Sequence, residues 1–222
     1  MEFLRSEANA AKNDSSKLVP FKTLYAGMWC QSLTTWIPQE IVAKCMKTNI
    51  DVEEFRGWPC VIGMDLGSVS DFTSITALWV MEDKYYFKTW TWIPEATLQE
   101  HQNKLLYERF IEEGTMLISD GNCTDYNRIC AKIGEISQIS PVQAIYTDAW
   151  NAAGTMVTLQ EMGFSVFPYS QSIGNFNSPT KSMERIIRDG YAVIDKSENI
   201  LWQFGNVELK IDFNQNCKPS KA

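Results

Sequence analysis

A chain of 222 residues with 45% hydrophobic content has room for one generous domain or two small ones, so disorder is excluded for most of its length. Its 20 Lys+Arg against 27 Asp+Glu give a formal charge of −7, and such a field repels a polyanion unless basic residues gather on one face. Six cysteines (Cys30, Cys45, Cys60, Cys123, Cys130, Cys217) show no C-x-x-C spacing and His101 is the single histidine, which speaks against zinc and for buried, reduced thiols. No secretory leader, no apolar run of about 18 residues and no G-x-x-x-x-G-K-[ST] loop is found. The expectation is a soluble intracellular chain that binds no membrane and hydrolyses no ATP.

Residues 1–56 read as a lead-in that packs on a domain spanning 57–222. The lead-in has a polar start, Trp29 and Trp36 in irregular phrases, and a helix-like stretch from Pro38 to about Lys47. After Gly57 and Pro59, Cys60-Val-Ile-Gly-Met is a short apolar run suited to a strand buried on both faces. Thr73–Val80 and Tyr85–Trp92 are rich in β-branched and aromatic residues and are joined by Glu82-Asp83-Lys84, which predicts an antiparallel hairpin. The period then lengthens: Leu98, Leu105, Leu106, Phe110 and Ile111 share one face of a helix running from Pro94 to near Gly114. A strand at 115–119, a helix at 126–136, a strand at 142–147, a helix at 151–162 ended by Gly163, and a strand at 164–168 follow. Beyond Tyr169 a polar loop to Pro179 precedes a helix from about Thr180 to Asp189, with strand-like pieces near Ala192 and Val207. Strand–helix alternation after a meander predicts an α/β fold, a mixed sheet with helices on both faces.

Two aspartates stand where a carboxylate is costly. Asp65 ends an apolar strand, and Asp148 ends the 142–147 strand at the carboxyl end where α/β sheets place their sites. On parallel neighbours the two carboxylates would face each other and repel unless a divalent cation lay between them. Oxygen donors without nearby His or Cys indicate Mg²⁺ or Mn²⁺. Asp148 also stands where it would cap the following helix, Asp71 where it would support the Gly/Ser turn after Asp65, and Asp120 before Gly121 in a turn.

Gly63-Met-Asp65-Leu-Gly-Ser-Val-Ser-Asp71-Phe-Thr73 resembles the opening of the nuclease domain in large terminase subunits of tailed bacteriophages. Phrases ending in Trp36-Ile37-Pro38 and Phe55-Arg-Gly-Trp-Pro59 are similar to the segment that follows the family's ATPase domain, and Tyr146-Thr-Asp148-Ala-Trp150-Asn151 to its second acidic strand end. Tyr169-Ser-Gln171, Ser178-Pro-Thr-Lys181, Glu184, Asn206-Val207 and Lys218-Pro219 continue the likeness in order. The resemblance implies a ribonuclease-H-like fold, three antiparallel strands followed by parallel ones, with facing acids on the first and fourth strands. It implies a metal-dependent endonuclease that cuts concatemeric viral DNA during packaging, with Asp65 and Asp148 as catalytic metal ligands and Asp71 as a further acid. A complete site would hold two ions. The partners implied are double-stranded DNA, an ATPase domain, a small terminase subunit and a portal ring, in the host cytoplasm.

Such members also supply a third acid downstream of the Lys-Pro segment, whereas this sequence stops at Ala222, so the expected site is incomplete. Asp212 is no substitute, because it lies in what reads as a hairpin. The expected chemistry is two-metal phosphodiester hydrolysis. Lys181, Arg185 and Arg188, at i, i+4 and i+7 of a helix, are the candidate phosphate contacts. Two other readings fit the same residues: a catalytically inactive DNA- or portal-docking module using tryptophans of 29–58, or another ribonuclease-H-like nuclease such as a resolvase.

Overall fold

The strand Thr73–Met81 buries every second side chain through Trp79, as the alternation of its sequence requires, and lies inside a seven-stranded sheet of the computed structural model. The structure describes residues 35–46, 49–67 and 71–221, with positions 4 and 8 in isolation. Trp29, Cys30 and Ser68–Ser70 lie outside the described residues. Strands β1 (Cys60–Asp65), β2 (Thr73–Met81) and β3 (Lys84–Pro94) form the expected antiparallel meander. Glu82 and Asp83 turn the β2–β3 hairpin at φ of 49° and 61°, the left-handed conformation a two-residue turn demands.

β4 (Leu117–Ser119) runs parallel beside one end of β3, and β7 (Ala192–Ile194) runs parallel beside the other. β5 (Val142–Thr147) joins β1 in parallel and β6 (Val166–Pro168) joins β5, giving the order β4-β3-β2-β1-β5-β6. The strand carrying Asp148 is thus the fifth in the chain rather than the fourth, because β4 inserts at the far edge. β8 (Val207–Ile211) and β9 (Cys217–Lys221) form a separate antiparallel hairpin.

Helices cover both faces. On one, Cys60, Ile62 and Met64 lie in register with Trp79, Ala77 and Ile75, and α4 (Tyr126–Ile139) and α5 (Ala149–Glu161) pack over them through Ile129, Ile133, Ile136, Ala152 and Leu159. Each such buried aliphatic side chain contributes roughly 1.5–3 kcal/mol. Phe55, at the end of a 3-10 turn over Val52–Phe55, stacks on Trp79 with ring centroids 4.6 Å apart. On the other face, α1 (Gln39–Cys45), α6 (Ile173–Arg188) and α7 (Glu198–Gly205) enclose Ile37, Val42, Ile187, Ile194 and Ile200. Trp36 donates from Nε1 to Glu184 at 3.2 Å, while Trp58 stays exposed. No helix among the described residues is long and apolar enough to cross a membrane.

Three elements differ from expectation. The helix expected from Pro94 to Gly114 is two, α2 (Glu95–Glu100) and α3 (Lys104–Glu112), because His101 takes extended backbone angles and its Nδ1 accepts the Asn103 N–H. That break resets the register and leaves Leu105 83% exposed while Tyr107 and Phe110 are buried. Helix α6 starts at Ile173 rather than Thr180: Ser172 caps it through the Asn175 N–H, and Pro179 sits inside it. The helix α7 was not expected; Ser197 caps it. Cys45, Cys60, Cys130 and Cys217 are buried thiols outside any disulfide and Cys123 is exposed. Burial pushes the Cys60 and Cys130 thiols up, keeping them protonated.

Candidate functional site

β1 and β5 are parallel neighbours, with Gly63 opposite Tyr146 and Met64 opposite Thr147. The residues that follow, Asp65 and Asp148, therefore stand side by side at the carboxyl ends of strands about 4.8 Å apart. Met64 is buried and Asp65 and Gly63 are exposed, so both acids belong to the face away from the α4–α5 core. They line one open groove of about 620 Å³. It is lined by Gly63, Asp65, Ser74, Thr76 and Tyr146 of the sheet, by the β8–β9 hairpin, and by Tyr169, Gln171 and Phe176, the last group meeting the hairpin where Lys218 donates to the Gln171 carbonyl.

Asp148 is half-buried and has two roles. Its Oδ1 accepts the Trp150 N–H at 3.2 Å and caps α5, as one reading of the sequence expected, while the residue also borders the groove. The loop leaving Asp65 is held at Gly67. The Gly67 N–H donates to Thr73 Oγ1 at 3.1 Å, Thr73 donates to Thr124 Oγ1 at 3.2 Å, and the Tyr126 hydroxyl donates to the Gly67 carbonyl at 3.0 Å. Burial pushes the Tyr126 phenol up and keeps it a donor. A Cβ at Gly67 would lie 2.4 Å from the Phe72 carbonyl oxygen, so only glycine fits there.

Other residues singled out from sequence fall elsewhere. Asp71 is exposed at the far end of this loop and is not part of the groove lining. Lys181 and Arg185 border a separate shallow depression on α6, and Arg188 pairs with Glu184 at 2.7 Å, so the structure does not bring this trio to the acids. Asp212 lies in the hairpin turn, where its carboxylate accepts from the backbone N–H groups of Asn214 and Asn216, each at 2.9 Å, and from the Asn216 side chain. Asp120 pairs with Arg128.

Lys210 and Lys218, by contrast, line the groove, and sequence reasoning did not single out either as a contact. The signal was present: a turn over residues 212–216 places Ile211 opposite Cys217 and hence Lys210 opposite Lys218. Tyr146 and Tyr169, named from sequence only within the phrases that carry the resemblance, line the groove as well, and their rings meet edge to face at 6.2 Å. Two carboxylates with the Ser74 and Thr76 hydroxyls along the same groove offer oxygen donors, the kind a hard divalent cation takes. Among the described residues no cluster of three or more His, Cys, Asp or Glu forms a larger ligand set.

A meander followed by parallel strands, with acids at the adjoining carboxyl ends of β1 and β5, defines a ribonuclease-H-like nuclease fold. The chain belongs to the terminase large subunit endonuclease domain family, whose model matches residues 1–222. It is similar to Protein YmfN of Escherichia coli (strain K12), 26% identical in a 217-residue alignment that covers 93% of this chain and 48% of YmfN. The large terminase of HK97 bacteriophage shares the fold at a TM-score of 0.74 and 18% identity, over 97% of this chain and 45% of that one. The large terminase nuclease from thermophilic phage G20c, in a structure with bound magnesium, has a TM-score of 0.52 and 10% identity, over 86% of this chain and 89% of that one. The chain spans about half the length of YmfN and of the HK97 terminase.

Proposed function

We propose that the chain is a metal-dependent DNA endonuclease domain of a phage large terminase subunit, acting on double-stranded concatemeric DNA as packaging begins and ends. The observation that carries this reading is the convergence of Asp65 and Asp148 in one groove, in a chain of this family. In this reading Asp65 and Asp148 hold Mg²⁺ or Mn²⁺, and Asp71, which does not line the groove, is a further acid of the loop that leaves Asp65. The magnesium in the G20c nuclease and the all-oxygen donor set support that choice of ion. Bound cations supply activation of a water and stabilisation of the leaving 3′ oxygen, a two-metal site doing both. The chain's own residues do the rest. Capping of α5 fixes the Asp148 rotamer, the Gly67 tether fixes the loop after Asp65, and Gly63 leaves the groove floor open to a phosphate backbone.

Residues 1–56 are proposed to lead into the nuclease domain at 57–222, and the burial of α1 residues and Phe55 in its cores supports a lead-in that packs on the domain. An ATPase domain, a small terminase subunit and a portal ring are the proposed partners, and the host cytoplasm the proposed place of action.

The decisive experiment is calorimetric titration with Mn²⁺ beside a plasmid-nicking assay. Asp65→Asn is expected to lose ion binding and any metal-dependent nicking. Unchanged Mn²⁺ binding in that variant would sink the ligand assignment.

A further inference from the structure

We infer that the β8–β9 hairpin is the phosphate-holding wall of the groove, with Lys210 and Lys218 gripping the backbone of the strand that passes over Asp65 and Asp148. The inference rests on the nuclease reading for its substrate, but its own support is separate. Lys210 and Lys218 are direct cross-strand partners and share one face of the hairpin. Like charges so placed, with Cβ atoms about 4.5–5.5 Å apart, disfavour the pairing. Among the described residues Lys210 forms neither an ion pair nor a side-chain hydrogen bond, and Lys218 reaches only the Gln171 carbonyl, at 2.9 Å, so both ammonium groups stand available to a polyanion entering the groove.

The surroundings make such help necessary. The chain carries −7, and the groove presents two carboxylates, so an approaching phosphate meets repulsion unless cations stand in the same cleft. The other basic groups considered from sequence are outside it and partly occupied, Lys181 by the Gln215 carbonyl at 3.2 Å and Arg188 by Glu184. The hairpin is also fixed in place. Asp212 ties the turn, and the Cys217 N–H donates to Asn177 Oδ1 of α6 at 3.1 Å, so the strands that carry both lysines are fixed at the groove before any ligand arrives.

The test measures affinity for a short labelled duplex DNA by fluorescence anisotropy, in EDTA, across a potassium chloride series. The Lys210→Met/Lys218→Met double variant is expected to bind roughly tenfold more weakly, with a salt slope shallower by about two. The Lys210→Arg/Lys218→Arg variant should restore binding, and a Lys181→Met/Arg185→Met control should keep wild-type affinity. The methionine variant should also keep its circular dichroism and its Mn²⁺ titration. Wild-type affinity and slope in the methionine variant, an equal loss in the control, or no DNA binding by the unaltered chain would each overturn the assignment. Because EDTA removes the metal, the outcome is independent of the nuclease centre: Mn²⁺ binding that survives Asp65→Asn would overturn the centre and leave the hairpin result standing.

Discussion

The Tyr169 hydroxyl donates to the Asn175 carbonyl at 2.9 Å, and that carbonyl is the acceptor that Pro179 leaves without a helical N–H donor. A groove residue thereby lets α6 run through its proline. Tyr169→Phe is expected to lower stability by about 0.5–1 kcal/mol, the usual net worth of a bond whose acceptor water can still reach. Pro179→Ala restores the N–H donor, so the two substitutions should be non-additive in urea denaturation. Strict additivity would show that the hydroxyl has no part in the helix.

Two glycines on the β1 side of the groove should respond oppositely to an added methyl. At Gly67 the new carbon would overlap the carbonyls of Asp71 and Phe72, so Gly67→Ala should cost about 1–3 kcal/mol and weaken Mn²⁺ binding by displacing the loop after Asp65. At Gly63 a Cβ meets nothing within 4 Å, so Gly63→Ala should melt like the parent. Thermal denaturation of both, with Mn²⁺ titration of Gly67→Ala, decides the matter.

Lys88 and Asp195 form an ion pair at 3.1 Å with side chains 20% and 16% exposed, and both hold the backbone of Ile50: Lys88 donates to its carbonyl, and Asp195 accepts its N–H at 2.6 Å. Removing one partner strands the other, at a cost between those of exposed and fully buried pairs. Lys88→Met should therefore lose about 2 kcal/mol. Limited proteolysis should show the segment near residue 50 opening first.

Hydrogen bonds from the Asn216 side chain, and then from the backbone of Asn216 and Asn214, hold the Asp212 carboxyl below the ordinary carboxylate value, with Lys181 adding a smaller push. A depressed acid stabilises the fold above its unfolded pKa and loses that contribution as pH falls through the folded one. Stability should thus fall in acid below the ordinary value of 3.8, and Asp212→Asn should flatten that limb. Unfolding midpoints measured from neutral pH down to strong acid provide the check; an unchanged acid limb would remove the turn from the account.

Much of this architecture was legible in the sequence because single elements carried single periods. The alternation in Thr73–Met81 needed no tertiary help. The apolar run of β1, in contrast, indicated the strand but not its burial: only the Cys60, Ile62 and Met64 face is covered, and the face with Gly63 and Asp65 is open rather than buried as expected. The convergence of Asp65 and Asp148 was also legible, since both close apolar strands at the end where parallel strands leave their sites open. Helix α6 was read short because Gly174, Asn175, Asn177, Ser178 and Pro179 are loop formers whose helical state depends on the Ser172 cap and the Tyr169 bond. The basic wall escaped notice because the distance between Lys210 and Lys218 along the chain is bridged only by hairpin register, whereas Lys181, Arg185 and Arg188 announce themselves at helical spacing.

The longest strand, β3, holds Lys-Tyr-Tyr-Phe-Lys-Thr-Trp-Thr-Trp-Ile-Pro, the aromatic and β-branched kind of stretch that stacks into aggregates when its margin lies bare. In the fold β7 occupies that margin at residues 85–87 and β4 at 92–94, leaving four residues between them, a length too short to template another chain. Both guards are three-residue strands drawn from later in the sequence. A ribosome-bound or heat-loosened chain therefore exposes this stretch before either guard has docked, and self-association of the protein should begin there.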